Sequence, residues 1–258
     1  GAACVGFHLQ GPFVNPKRAG ALPPGGMRRP TLTELRRLRD AAGGAIRLMT
    51  IAPELPGALA AIRWCAQHGI VVSLGHSLAD ATTATKAVDA GARAVTHVFN
   101  GMPRLDHHRP SLIDVALTDS RLTTMVIADG VHVSPWVFRL LLRAKGADRI
   151  IAVTDSIRHV AGRARWHQGA YYVSERPPVL AGSGLMMIGA VRNAVRFGGC
   201  SLPEAVRMAS ENPARLLGLH RSRGRLEVGQ RADLAAFDAG FRVIMTIVQG
   251  NVVYLAQR

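Results

Sequence analysis

Short apolar runs alternate with amphipathic segments over the first 155 residues of the chain. The runs are rich in Val and Ile and are often apolar at successive positions, which is typical of strands in a buried parallel sheet. Because strands and helices alternate, we expect parallel strands joined by right-handed crossovers, as in an α/β barrel. The predicted strands are Ala3–Leu9, Ile46–Ala52, Ile70–Gly75, Ala92–Phe99, Leu122–Ala128 and Arg149–Thr154.

Three helix starts are visible in the sequence. Thr31 with Glu34, and Ser201 with Glu204, have the spacing of a capping box. Ser134 is a predicted N-cap, because a proline occupies the first helical position after it.

The pattern changes after Asp155. Residues 158–182 read as a loop or hairpin, with Tyr171–Ser174 as a strand, and two helices are predicted over 185–198 and 203–217. A tail of short strands then predicts a separate β unit. We therefore predict a barrel domain over residues 1–222 and part of a small β domain over 223–258. The tail strands are Ala235–Asp238, Val243–Val248 and Val252–Tyr254.

Composition fits a protein with one sizeable domain, since 48% of its 258 residues are hydrophobic and 19% are charged. No apolar run approaches the roughly 18 residues of a membrane span, and no signal-peptide pattern is present. Cys4, Cys65 and Cys200 form no CxxC motif. We therefore expect neither a disulfide framework nor membrane association, and a cytoplasmic location.

The formal net charge is +15, and Arg supplies nearly all of it. The arginines occur singly or in pairs along the whole chain, and aromatic residues make up only 5% of it. This pattern favours solvated surfaces over a nucleic-acid-binding stripe. An anionic small molecule such as a phosphate is the alternative explanation.

Polar side chains stand where the predicted strands end. His76 follows the third strand, His97 the fourth, His132 the fifth and Asp155 the sixth. In a parallel barrel these ends share one mouth. A single histidine there is usually structural, but three with a carboxylate suit a divalent metal, commonly zinc, and a base for its bound water. The spacing therefore predicts a metal-assisted hydrolase.

An ordered set of motifs resembles the N-acetylglucosamine-6-phosphate deacetylases of the amidohydrolase superfamily. The resemblance covers essentially the whole chain. It implies a TIM-type (β/α) barrel of the metal-dependent amidohydrolase kind, incomplete at its N-terminus, with a remnant of a small β domain at its C-terminus. The motifs are His8–Phe13, Ala52–Glu54, Gly75–Ser77, Thr96–Pro103, Ile127–His132, Val153–Asp155, Leu180–Ser183, Val191–Asn193, Asn212–Ala214 and Gly224–Leu234.

The resemblance also implies roles for single residues. His76 and His97 would bind one divalent metal ion per subunit, Zn²⁺ or alternatively Fe²⁺. Gln10 stands where the family has a metal-binding glutamate. Asp155 would act as general base and then as the acid that protonates the leaving amine, and His132 would contact the substrate and polarise its carbonyl group.

A second set of residues is implied for the phosphate of the substrate. Asn100 and the backbone N–H of Gly101 would help to hold it. A basic residue of the segment Asp106–Pro110, either His108 or Arg109, would reach it as well, in this family often across a homodimer interface.

The implied reaction is deacetylation of N-acetylglucosamine 6-phosphate to glucosamine 6-phosphate and acetate, with a sugar phosphate as partner and neither nucleic acid nor membrane. Gln10 departs from the family because a neutral amide replaces a carboxylate ligand. Two earlier barrel strands, one ending in a His-x-His segment, have no counterpart before His8. The alternatives are a catalytically impaired truncated homologue and a deacetylase of a related sugar phosphate such as N-acetylgalactosamine 6-phosphate.

Overall fold

Six parallel strands form one curved sheet in the order in which they occur along the chain. A computed structural model describes residues 2–157, 164–175 and 178–257. The curved parallel sheet confirms the predicted incomplete barrel. The strands are β1 (Phe7–Gln10), β2 (Ile46–Ile51), β3 (Val71–Leu74), β4 (Ala92–Val95), β5 (Thr123–Ile127) and β6 (Ile150–Val153).

All six strands are shorter than the sequence predicts, and two of them differ most at one end. The first begins at Phe7 rather than Ala3, and Gly6 just before it has φ of +141°. The fourth ends at Val95 rather than Phe99, because His97 and Phe99 have φ of +28° and +77° and turn the chain out of the sheet.

Five helices follow the first strands. The Thr31 hydroxyl accepts from the N–H of Glu34, but the Glu34 carboxylate pairs with Arg37 instead of completing the predicted capping box. The Ser134 cap is confirmed, as its hydroxyl accepts from Val137 N. The helices are α1 (Leu32–Ala41), α2 (Ala58–Gln67), α3 (Ala81–Asp89), α4 (Leu112–Thr118) and α5 (Pro135–Lys145).

The sheet has a helix-facing side and a side that lines the barrel interior. On β2, Met49 and Ile51 pack with the helices, whereas Leu48 belongs to a separate small cluster with Met125 and Ile151. The alternation follows from the period of two along a strand. Buried hydroxyls of Thr50, Ser73 and Thr96 are linked by hydrogen bonds of 2.6 and 2.8 Å just below the strand ends.

The chain after β6 forms a hairpin sheet and then helices. The predicted loop or hairpin is a three-stranded antiparallel sheet, with residues 158–163 and 176–177 outside the described residues. The helix predicted over 203–217 is interrupted at Ser210, because Pro213 has no N–H to continue it. The capping box at Ser201 is confirmed. The elements are β7 (Arg165–His167), β8 (Ala170–Glu175), β9 (Pro178–Ser183), α6 (Met187–Asn193), a π-helical turn (Ala194–Gly198), α7 (Leu202–Ala209) and α8 (Glu211–Leu216).

The tail folds as the predicted β unit, an antiparallel sheet of three strands. The strands are β10 (Leu234–Phe237), β11 (Val243–Val248) and β12 (Asn251–Leu255). In the part of the chain that the structure describes, no helix is both long and apolar enough to cross a bilayer.

Candidate metal and active site

One cavity of about 590 Å³ lies at the carboxyl ends of the parallel strands. A volume in the range of roughly 300–1,000 Å³ is usual for small-molecule sites. Most of the site residues predicted from the sequence line this cavity, although they come from the ends of five different strands. These residues are Gln10, His76, His97, Asn100, Gly101, His132 and Asp155.

Three of these residues have an unusual backbone. His76, His97 and Asp155 have φ of +47°, +28° and +45°, in the left-handed region that side chains other than glycine rarely adopt. Such a conformation costs about 1–3 kcal/mol per residue and persists only where the surroundings enforce it. Each residue lies two positions beyond the last residue of a strand, where the turn directs its side chain into the cavity.

Gln10, His76 and His97 form a triangle of side-chain nitrogens. Nε2 of Gln10 is 2.7 Å from Nε2 of His76 and 2.9 Å from Nε2 of His97, and the two imidazole Nε2 atoms are 3.0 Å apart. On the far side of the His76 ring, Nδ1 lies 2.7 Å from the carbonyl oxygen of Arg18. A carbonyl only accepts, so Nδ1 carries the proton and Nε2 presents its lone pair to the other two residues.

Both imidazoles are held neutral. Burial lowers the pKa of His76, although the Arg18 carbonyl and the Asp155 charge oppose the shift. Burial also lowers the pKa of His97 to about 3, and the neighbouring His76 ring lowers it further, because two adjacent rings resist being protonated together. A neutral ring is the form that binds a metal.

The donor chemistry fits a divalent cation held by two nitrogens and a neutral oxygen. Among the described residues, no group of three or more His, Cys, Asp or Glu side chains is placed to hold a metal ion. The third donor here is the amide of Gln10, whose oxygen takes the place of its nitrogen when the amide rotates by half a turn. Nδ1 of His97 is buried without a hydrogen-bond partner. The set therefore offers two nitrogen donors of the kind that zinc takes, but a neutral amide in place of the carboxylate that is its usual oxygen ligand.

A second pair of residues is His132, which lines the same cavity, and Asp129 behind it. Nδ1 of His132 lies 2.6 Å from Oδ2 of Asp129, and the two side chains are only 3% and 4% exposed. Burial alone would raise the pKa of Asp129, but hydrogen bonds from the His132 ring and from the N–H groups of Val131 and His132 lower it below its ordinary value. The carboxylate thus stays ionised and orients the ring. Sequence reasoning gave Asp129 no role, although its spacing of three residues from His132 was a usable signal.

Asp155 is the carboxylate of the cavity itself. Burial raises its pKa, while the electrostatic interactions with the His132 and His76 rings oppose the shift. A carboxylate with a raised pKa is suited to take and return a proton near neutral pH.

The residues predicted for phosphate do not all meet. Asn100 and Gly101 line the cavity, and Asn100 donates weakly to backbone oxygens of His97 and Val98, at 3.4 and 3.3 Å. His108 and Arg109 are exposed and lie outside the cavity lining.

Two other basic residues, Lys17 and Arg18, line the cavity. They could not be singled out beforehand, since the short 3-10 helix Pro16–Arg18 lies outside all of the sequence motifs. A Cβ at Gly101 would lie 3.0 Å from Nδ1 of His76, so glycine lets this loop approach the ring.

A curved parallel sheet with two neutral imidazoles, an amide and a carboxylate at its strand ends defines an α/β-barrel hydrolase of the amidohydrolase class. The sequence profile of the amidohydrolase family matches residues 1–253, and the chain belongs to this family.

Its relatives are sugar-phosphate deacetylases. The chain is 35% identical to the N-acetylglucosamine-6-phosphate deacetylase of Bacillus subtilis (strain 168), with 100% of this chain and 67% of the relative covered. It is 37% identical to the N-acetylgalactosamine-6-phosphate deacetylase of Escherichia coli O157:H7, with 98% and 69% covered. The resemblance stated from the motifs is thereby confirmed.

Solved structures agree with the sequence relatives. A Mycobacterium smegmatis N-acetyl-D-glucosamine-6-phosphate deacetylase variant, in complex with N-acetyl-D-glucosamine-6-phosphate, superposes with a TM-score of 0.89 at 37% identity, covering 96% of this chain and 68% of the other. The Thermotoga maritima enzyme gives a TM-score of 0.89 at 31% identity, covering 98% and 70%. The chain thus spans about two thirds of the length of these relatives.

Proposed function

We propose that this protein is a metal-dependent deacetylase of N-acetylglucosamine 6-phosphate that releases acetate and glucosamine 6-phosphate. The observation that carries the proposal is the meeting of Gln10, His76, His97, His132 and Asp155 in one cavity. Relatives named for this reaction match the chain end to end.

In this proposal His76, His97 and Gln10 hold the metal, which we expect to be zinc or Fe²⁺. Bound metal supplies Lewis-acid chemistry, lowering the pKa of water and polarising a carbonyl group. The remaining steps depend on side chains of the chain itself. His97 and His76 contribute by staying neutral, as their lowered pKa values require.

Asp155 moves the proton. It takes one proton from the attacking water as the new C–O bond forms at the amide carbon, giving a tetrahedral intermediate. It then returns that proton to the amine nitrogen as the C–N bond breaks, so that acetate and a free amine leave. Its buried position and raised pKa favour both transfers.

His132 acts on the carbonyl oxygen. Nδ1 lies 2.6 Å from Oδ2 of Asp129, so Nε2 is the ring nitrogen left to donate toward the cavity when it carries a proton. A donor placed where negative charge develops lowers the barrier of acyl transfer. The Asp129 carboxylate balances the charge of the ring during this step.

For the phosphate we propose Asn100 and the N–H of Gly101 in the cavity, together with His108 or Arg109 from a second copy of the chain. A second copy is needed because His108 and Arg109 are exposed and do not line the cavity of their own chain. Mixing an Asp155→Asn subunit with an Arg109→Ala subunit tests this. Activity in the mixture supports a site shared between two subunits. If neither Arg109→Ala nor His108→Ala regains activity when mixed with Asp155→Asn, a shared site is refuted.

The same proposal includes a boundary between a barrel domain (1–222) and a small β domain (223–258). It also includes a cytoplasmic location. They are supported by the separate sheet β10–β12 and by the metabolic nature of the substrate.

The experiment that tests the function is release of acetate and amine from N-acetylglucosamine 6-phosphate by the purified protein loaded with Zn²⁺, Co²⁺ or Fe²⁺. Activity that is lost in Asp155→Asn supports the proposal. No turnover with any of the three metals would refute it and favour the catalytically impaired homologue.

A second substrate is favoured by one observation. The Escherichia coli N-acetylgalactosamine-6-phosphate deacetylase is 37% identical to this chain, which is as similar as the N-acetylglucosamine-6-phosphate deacetylase of Bacillus subtilis at 35%. Parallel assays with the two epimers decide between them by the ratio of kcat/KM.

A further inference from the structure

Glu54 is a carboxylate just after β2 that does not line the cavity, although it belongs to one of the sequence motifs. Its two oxygens accept three hydrogen bonds. Oε1 accepts from Asn15 Nδ2 at 2.8 Å and from the N–H of Leu78 at 2.6 Å, and Oε2 accepts from the Ser77 hydroxyl at 2.7 Å. The donors come from the loops after β1 and β3, so one side chain joins three strand ends.

The first set of contacts holds the backbone that follows His76. Ser77 is fully buried, and its hydroxyl also accepts from the N–H of Ala79 at 2.9 Å. The loop is therefore fixed at the two residues directly after His76. Since His76 itself has φ of +47°, this fixing opposes relaxation of its backbone to an ordinary conformation.

The second set of contacts acts on the other side of the His76 ring. Asn15 gives Nδ2–H to Glu54, and its Oδ1 accepts from the N–H of Lys17 at 2.9 Å. Asn15 thereby caps a short 3-10 helix, Pro16–Arg18. The carbonyl oxygen of Arg18, at the end of this turn, is the acceptor for Nδ1 of His76 at 2.7 Å.

The two sets converge on one ring. Asn15 also donates its backbone N–H to the carbonyl oxygen of His76 at 2.9 Å, which ties the loops together directly. Glu54 thus braces the backbone that carries the imidazole and the turn that supplies the acceptor for its Nδ1–H. Loss of the acceptor position would free the ring to rotate or to move its proton to Nε2, which faces Gln10 and His97.

We propose that Glu54 is a positioning residue that fixes the tautomer and orientation of His76, keeping the Nε2 lone pair directed at Gln10 and His97. The importance of this lone pair for metal rests on the proposed function, but the positioning itself does not. Partners that orient the second nitrogen of a histidine ligand typically change metal affinity by about 10- to 100-fold when removed. Here the partner is a backbone carbonyl, and Glu54 acts through it.

The test is the tautomer of His76 in the metal-free protein, read by ¹⁵N NMR of the imidazole nitrogens. We expect the Nδ1–H form in the wild type and a mixture with the Nε2–H form in Glu54→Ala. His132 serves as an internal reference whose signals stay unchanged. Glu34→Ala is the matched control, because it removes a carboxylate that accepts hydrogen bonds from Arg37 far from the cavity.

Co²⁺ titration gives the second measurement, with binding weakened about 10- to 100-fold in Glu54→Ala and unchanged in Glu34→Ala. If Glu54→Ala does not fold, Asn15→Ala removes the second set of contacts alone and decides the question. An unchanged His76 tautomer in the folded variant overturns the proposal. Absence of deacetylation by the wild type, with the tautomer shift present, would instead overturn the proposed function and leave the role of Glu54 intact.

Discussion

The side-chain nitrogen of Gln10 lies 2.7 Å from Nε2 of His76, so an amide contacts the imidazole lone pair that a cation would use. With its nitrogen turned inward, the amide donates to neutral imidazole acceptors. With its oxygen turned inward, it repels the same lone pairs unless a cation lies between them. Metal binding to this chain therefore has to displace a favourable hydrogen bond.

This relationship predicts that Gln10→Glu strengthens metal binding. The carboxylate has no N–H to donate to the imidazoles and adds a negative charge to the donor set, so we expect Co²⁺ to bind at least about 10-fold more tightly. Competition with a chromophoric chelator measures the change. Gln10→Ala is the control that removes the competing amide without adding a ligand, and affinity of Gln10→Glu no higher than that of Gln10→Ala would contradict the prediction.

Gly101→Ala is expected to damage the site through crowding of His76. The residue has φ of +62°, and an added Cβ would lie 3.0 Å from Nδ1 of His76. Gly43→Ala is a matched control, since Gly43 has φ of +56° and no atom within 4 Å of its added Cβ. Both variants should lose about 1 kcal/mol of unfolding free energy from backbone strain. Only Gly101→Ala should lose more than this and also weaken Co²⁺ binding, as measured by urea unfolding and metal titration.

The stability of the metal-free protein should fall as the pH decreases from 6.5 toward 3. Burial lowers the pKa of His97 from 6.5 to about 3, so in this window the unfolded chain takes up a proton that the native state does not. Stability therefore rises with pH across the window and is lost as pH falls. Urea midpoints against pH should be less steep in His97→Gln than in the wild type. His107→Gln, on an exposed loop, should keep the wild-type slope. Equal slopes in all three proteins would contradict the conclusion that the lowered pKa of His97 causes the loss of stability at low pH.

Asp129→Asn is expected to reduce kcat by roughly 10²-fold with a smaller change in KM, because loss of one donor to the developing oxyanion costs about 10²–10³-fold and this carboxylate orients His132 and balances its charge. Steady-state assays with the preferred sugar phosphate measure it. Asp148→Asn provides the comparison, as Asp148 forms an exposed ion pair with Arg207 at 2.6 Å. A rise in KM alone would show that Asp129 contributes to binding and not to the chemical step.

Most of the sheet and the histidines that line the cavity could be predicted, for one physical reason. Buried parallel strands leave a clear apolar pattern, and the polar residue that ends each strand must face the shared mouth of the barrel. His76, His97 and Asp155 were found by this rule.

The supporting contacts left no such signal. The partner of the His76 ring is a backbone carbonyl at Arg18, which any residue could supply. Glu54 could be seen as part of a motif, but its three hydrogen bonds depend on how separate loops meet in space. The shared cavity places Lys17 beside residues far away in the sequence for the same reason.

The left-handed backbone at His76, His97 and Asp155 lowers stability at three positions to which the proposed mechanism assigns its metal ligands and its base. Glycine adopts such a conformation without penalty. A selection for heat resistance alone would therefore tend to replace these residues with glycine and remove the side chains that the proposed mechanism needs. Engineering for higher stability should keep these three residues unchanged and seek stabilising substitutions elsewhere in the chain.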